Sequence, residues 1–241
     1  MTLTDLGPAA NATTFIGIIG PPASGKSTLA TSLSRALDAP IIRPRDAIRA
    51  VVADEPQLHE LFVPINELGW VSDGALGLAV RAAVARIPAP CRAVLLENLP
   101  GDTFQVADIH MAVRQRGGRF VVLHLDSANE VLIARGTRRR VCQTCEADST
   151  ADPHEPAQPS TIDPRMCGRC GSPLSVRPDD EDGVLRERTV RHRHYARGVL
   201  RMVTALGIPL IGIDAAATPS AVHAAAFDAV TLLATPAHHG G

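Results

Sequence analysis

Between the apolar run FIGII (15–19) and the leucines Leu29, Leu33 and Leu37 lies the stretch GPPASGKST (20–28), and it dictates the local architecture. The leucines recur at helical spacing, so the order is strand, glycine loop, helix. Such a loop can curl its N–H groups around an oxyanion while the helix that follows adds its positive end. The spacing G-x-x-x-x-G-K-S is that of a phosphate-binding loop. Gly20, Ala23, Ser24, Gly25 and Thr28 would form the cradle, Lys26 would reach the β- and γ-phosphates of a nucleoside triphosphate, and Ser27 would give its hydroxyl to Mg²⁺.

The plain alternative is a small-residue turn with no ligand. Composition argues against it, because the 24 basic residues are 23 arginines and one lysine, Lys26. A compact ammonium on a flexible stem can follow a moving phosphoryl group, which a planar guanidinium in a tight loop does poorly.

Further apolar runs, PIIR (40–43), AVLLENL (93–99), RFVVLHLD (119–126) and PLIGID (209–214), read as strands separated by helical patterns. That alternation predicts an α/β fold with a five-stranded parallel sheet, a P-loop NTPase core over 14–235. Two segments break the alternation. Residues 44–87 read as helical throughout, and 140–183 is rich in Pro, Cys, Asp and Ser; both read as insertions, since strand patterns resume after each. Residues 1–13 and 236–241 are expected to be disordered.

The balance of 24 basic and 25 acidic residues, with 3% aromatics, lacks the basic footprint and stacking platforms of a nucleic-acid binder. No run approaches eighteen apolar residues, and the first residues lack a basic cluster followed by an apolar core. The expectation is a cytoplasmic monomer with neither membrane nor nucleic-acid partners.

Four of the five cysteines form two C-x-x-C knuckles, Cys142 with Cys145 and Cys167 with Cys170. In a cytosolic chain this spacing favours one tetrahedral Zn²⁺ over disulfides or a redox pair. With all four positions filled by thiolates, such a metal is structural and folds a polar insertion that could not stabilise itself. Cys91 reads as an inert thiol.

Several stretches, in order, resemble the adenylate kinase family of the zinc-lid type. GPPASGKST looks like its phosphate loop, RPRDAIRA (43–50) its T-G-D-x-L-R segment, and GWVSDGAL (69–76) its G-x-L-V-x-D stretch. LLENLPGDTFQVADI (95–109) is similar to its L-D-G-F-P-R-x-x-x-Q-A element. ARGTRRRVCQTC and CGRCGSPLSVRPDDEDGVLRER resemble the two arms of its lid. The resemblance covers roughly 15–235.

It implies a parallel core with a helical acceptor-binding insertion and a lid that closes over ATP. It also implies roles: Arg49 on the acceptor phosphate, Gln105 facing the acceptor base, Arg135 and Arg139 on the lid's leading arm, Arg177 and Arg188 on its trailing arm. Arg135 and Arg139 would contact ATP, Arg177 and Arg188 the acceptor as well, and Arg139, Arg177 and Arg188 would act with Lys26 in transfer. Each arginine also has an ordinary reading as a surface residue.

Three departures stand out. Family D-G-F-P-R reads here ENLPG, so Glu97 replaces the aspartate that orients magnesium-bound water, and Gly101 stands where a second acceptor-phosphate arginine belongs. Arg45 is the nearest candidate to replace that charge. HYARGVLRM (194–202) lacks the family's T-x-P-L-x-x-Y-Y pattern. The resemblance implies transfer from ATP to AMP or a related nucleotide. The departures leave open a small-molecule kinase with Glu97 or Asp46 as base, or a nucleotide-binding regulatory protein whose lid is an interaction module.

Overall fold

The computed structural model describes residues 12–65, 71–145 and 157–234. Expectations for 1–11, for 236–241 and for the Gly69–Trp70 end of GWVSDGAL lie outside the described residues. Thr13, expected within a disordered start, is tied to the core: its hydroxyl donates to the Cys91 carbonyl at 2.6 Å.

Five strands, β1 (Thr14–Ile19), β2 (Ile41–Ile42), β3 (Ala93–Glu97), β4 (Arg119–Asp126) and β5 (Leu210–Asp214), make one parallel sheet in the order β2-β3-β1-β4-β5. Four of the predicted runs contain their strands whole, and β1 begins one residue before FIGII. The central strands β1 and β3 are buried throughout and β4 nearly so, which is why they read as continuous apolar runs, while the edge strand β5 is mostly exposed. Phe15, Val94, Leu96, Phe120 and Val122 point into one core, and Ile16, Ile18, Leu95, Leu123 and Leu125 into the other.

The helices are α1 (Lys26–Leu37), α2 (Pro44–Asp54), α3 (Asp73–Ala85), α4 (Thr103–Gln115), α5 (Asn129–Arg138), α6 (Asp182–Ala205) and α7 (Pro219–Ala234). Leu29 and Leu33 of α1, with Ala226 and Val230 of α7, cover one face of the sheet. Val80 and Val84 of α3, Val106 and Ile109 of α4 and Val199 and Val203 of α6 cover the other. Strand order reverses at β1, whose neighbours are β3 and β4, so the ligand crevice opens at its carboxyl end.

The 44–87 segment is not one helical run. Glu55, before Pro56, is driven out of helical conformation to φ −133°, ψ 76°, and ends α2. A 3-10 stretch, Pro56–Phe62, follows, anchored by buried Phe62. The cysteine insertion leaves the core after α5 and is pinched at its base, where Val141 and Ser175 exchange two backbone hydrogen bonds of 2.9 and 3.0 Å. A 3-10 turn at Pro178–Asp180 then leads into α6.

Candidate active site

The glycine loop leaves β1 at the crevice. Gly20 has no room for a side chain, since a Cβ there would lie 2.5 Å from the Leu125 carbonyl oxygen. Gly25 takes φ +92° and Ala23 φ +62°. The second value is unusual for a residue with a Cβ, and it lets successive N–H groups turn inward as an anion nest requires.

Two helix starts nearby are closed by their own sequence: Ser72 caps α3 and Asp102 caps α4. The start of α1 is different. Gly25 offers no side-chain cap and the first turn carries no acidic residue. Its amides therefore remain for a ligand, as expected of an anion site. Inside the loop, buried Ser24 Oγ has no hydrogen-bond partner, and Lys26 Nζ donates to the carbonyls of Gly20 and Pro21 at 2.8 and 2.9 Å. The ammonium is parked on the loop that a phosphate would fill. Ser27 and Thr28 follow on the first turn of α1, so Ser27 fits a Mg²⁺ ligand in chemistry and position.

At the carboxyl ends of β2 and β3, Arg43 Nε donates to Glu97 Oε2 at 2.7 Å. Glu97, assigned to the magnesium shell by resemblance, is thus engaged by a guanidinium that the sequence reading did not single out. Arg45 is exposed on α2. Arg49 and Asp46 are a solvent-facing pair at 3.4 Å on the same helix. Gln105 is buried and committed: its Oε1 accepts from the Gly101 amide at 2.7 Å, and its amide nitrogen and backbone N–H both donate to Asp102.

The lid arginines gather on two aspartates. Arg139 makes a fork to Asp180 at 2.7 and 2.6 Å, and Asp180 is fully buried. Asp179 takes Arg177 at 2.8 Å and Arg188 at 3.0 Å. Arg177 is itself 2% exposed, so its charge has to be compensated within the fold, and Asp179 supplies part of that. Arg135 stands apart, donating to the carbonyls of Ala215, Ala216 and Ala217 beyond β5. The structure thus brings Arg139, Arg177 and Arg188 together and ties Arg135 to the β5–α7 loop.

The four cysteines of the insertion converge, with all sulfurs within 4.8 Å of one another. Cys142 and Cys170 are 3.4 Å apart, Cys145 and Cys167 3.8 Å. Four thiols at these separations fit one tetrahedral Zn²⁺, with Zn–S bonds of about 2.3 Å. Hydrogen bonds from Ser172 push the Cys170 thiol down to about 6, while its hydrogen bond with Cys170 pushes the Cys145 thiol up to about 12, so the neighbouring thiols share protons rather than titrating alone.

His192 of α6 was not anticipated. Burial, then the charge of Lys26, and then His124 and Arg193, push it down to about 3 against a smaller opposing effect of Asp126. It therefore stays neutral and adds no charge beside Lys26. A folded value far below the ordinary 6.5 means that the unfolded chain takes up a proton the folded chain refuses as pH falls below 6.5. Stability should be full above that value and decline from pH 6.5 towards 3, by about 2–3 kcal/mol at pH 4.5. Urea midpoints at pH 7 and 4.5 should differ less in His192→Gln than in wild type; equal differences would deny His192 this part.

Comparison with known proteins bears on the whole arrangement. No family model matches the chain. Curated relatives do: an adenylate kinase of Acidothermus cellulolyticus is 31% identical over 222 residues, covering 86% of this chain and 97% of the relative. One from Caldanaerobacter subterraneus is 28% identical, covering 82% and 87%, and one from Streptomyces lividans is 27% identical, covering 72% and 84%. Identity and coverage of this extent, on a five-stranded parallel core with a four-cysteine lid, place the chain in the adenylate kinase family.

Proposed function

We propose that the chain moves the γ-phosphoryl group of ATP to a nucleoside monophosphate, with AMP the first candidate. The observation that carries this reading is the uncapped start of α1, with Lys26 parked on its own loop, together with three arginines held in reserve by Asp179 and Asp180. Phosphoryl transfer asks little covalent chemistry of a protein; it needs donor and acceptor in line with their repulsion neutralised. Lys26 and the loop amides hold the donor. Mg²⁺, when bound, neutralises phosphate charge, and Ser27 is the residue that would hold it. Arg139, Arg177 and Arg188 would exchange their aspartates for phosphate oxygens as the lid closes, excluding water only when both substrates are present.

One observation favours a second reading. Gln105, the residue expected to face the acceptor base, spends its amide on Gly101 and Asp102, so it offers little to adenine. An acceptor other than AMP, including a hydroxyl-bearing small molecule, fits that arrangement.

The test is ADP formation from ATP with AMP, GMP, CMP, UMP and a set of non-nucleotide alcohols, in wild type and in Gly101→Arg. The nucleotide reading expects turnover with at least one monophosphate and improved AMP use by the variant. Turnover confined to alcohols, abolished in Gly101→Arg, would establish the second reading instead.

A further inference from the structure

Strand register sets Arg43 against Glu97. β2 and β3 pair Ile41 with Leu95 and Ile42 with Leu96, so the next residues, Arg43 and Glu97, meet at the carboxyl edge where open α/β sheets hold their ligands. Both are withdrawn from water, with side chains 16% and 6% exposed. A carboxylate can take a guanidinium in a two-pronged fork, yet here only Nε donates to Glu97. The next carboxylate, Asp46, is 3.9 Å from Nη1, beyond hydrogen-bonding distance. Among the described residues, the two terminal nitrogens of Arg43 therefore donate to nothing, although a guanidinium carries five N–H donors.

A half-used, largely buried cation at the mouth of a phosphoryl-transfer site is a binding group awaiting an anion. Arg45, two residues on, is exposed on the helix surface. Glu97, for its part, is already engaged by Arg43, which makes it a poor ligand for a cation.

We propose that Arg43 is the guanidinium that anchors the anionic end of the acceptor, doing from the tip of β2 what position 101, a glycine, cannot. Glu97 is its positioning residue and not part of the magnesium site. The proposal rests on the phosphorylated-acceptor reading above and narrows it: the acceptor carries a phosphate or an equivalent planar-faced oxyanion beside β2.

The experiment is calorimetric titration of AMP into the full chain with a β,γ-methylene ATP analogue bound, comparing wild type, Arg43→Ala, Arg43→Lys and Glu97→Gln, each also titrated with the analogue alone. AMP affinity should fall tenfold or more in Arg43→Ala and less in Arg43→Lys, which retains a charge to pair with Glu97, while analogue affinity stays within twofold. Glu97→Gln should weaken AMP severalfold and leave the Mg²⁺ concentration for half-maximal analogue binding unchanged. AMP affinity within twofold of wild type in Arg43→Ala overturns the proposal, as does a Glu97→Gln variant that needs more Mg²⁺ but binds AMP normally. The two readings fail separately: wild type that binds AMP without turnover removes the transfer reading and leaves Arg43 judged by affinity. Turnover on AMP with an indifferent Arg43→Ala removes Arg43 alone, and wild type that binds no AMP removes both.

Discussion

Lys26→Ala is expected to lower kcat for phosphoryl transfer by three or more orders of magnitude, with the melting temperature and zinc content almost unchanged. No other residue can cover the loss: the remaining basic residues are all arginines, and the loop is too tight for a planar group to enter. In the resting chain the ammonium donates to two carbonyls of its own loop, and the two cores that hold the sheet are built from other residues, so the fold should survive its deletion. The amides at the start of α1 would persist, and ATP should still bind, more weakly. Steady-state kinetics with circular dichroism as the folding control checks this. A variant within tenfold of wild type would show that the loop binds a phosphate that does not move.

Removing the metal should have the largest effect on stability. Purified chain is expected to carry about one Zn²⁺, and Cys145→Ser or Cys170→Ser to lose most of it. Structural zinc supplies much of the folding free energy of the small units it closes. Here that unit is an insertion with short antiparallel bridges and, among its described residues, few buried apolar groups, while the sheet has two cores of its own. The loss should therefore be partial, about 3–5 kcal/mol, lowering Tm by roughly 10 °C. Elemental analysis and scanning calorimetry measure both quantities. Zinc-free protein with its four thiols joined in disulfides would refute the assignment.

The strand, loop and helix that carry the proposed donor side were legible in the sequence because their signals are local. A strand, a glycine loop and a helix occupy 24 consecutive residues from Thr14 to Leu37, and the spacing of the two knuckles announces the four-sulfur cluster that the fold assembles. The acceptor half was not legible, because its contacts are made across the fold. Arg43 and Glu97 are 54 residues apart, and β2 has only two residues from which to read a register. His192 was hidden by its neighbours: RERTVRHRHYAR reads as a solvated stretch, yet α6 turns Thr189 and Ala196 inward and carries His192 toward Lys26. The commitment of Gln105 did leave a trace. Asp102 and Gln105 have the D-x-x-Q spacing of a capping pair, which could have shown that the glutamine was spoken for. Nothing in the letters marks Ala23 for positive φ, where glycine is the easier choice.

The neck formed by Val141 and Ser175 has a consequence for how this lid can change. Arg139 lies two residues before it and Arg177 two residues after it, so both ride on the pair of hydrogen bonds that clamps the strands together. Whatever is spliced beyond the neck starts and ends at nearly the same point in space, and closing a loop of different length there costs little, about 0.6 kcal/mol per doubling. The segment past the clamp is therefore an interchangeable cartridge. A metal-free hairpin of another length could be exchanged for the cysteine knuckles while the two arginines kept their seats.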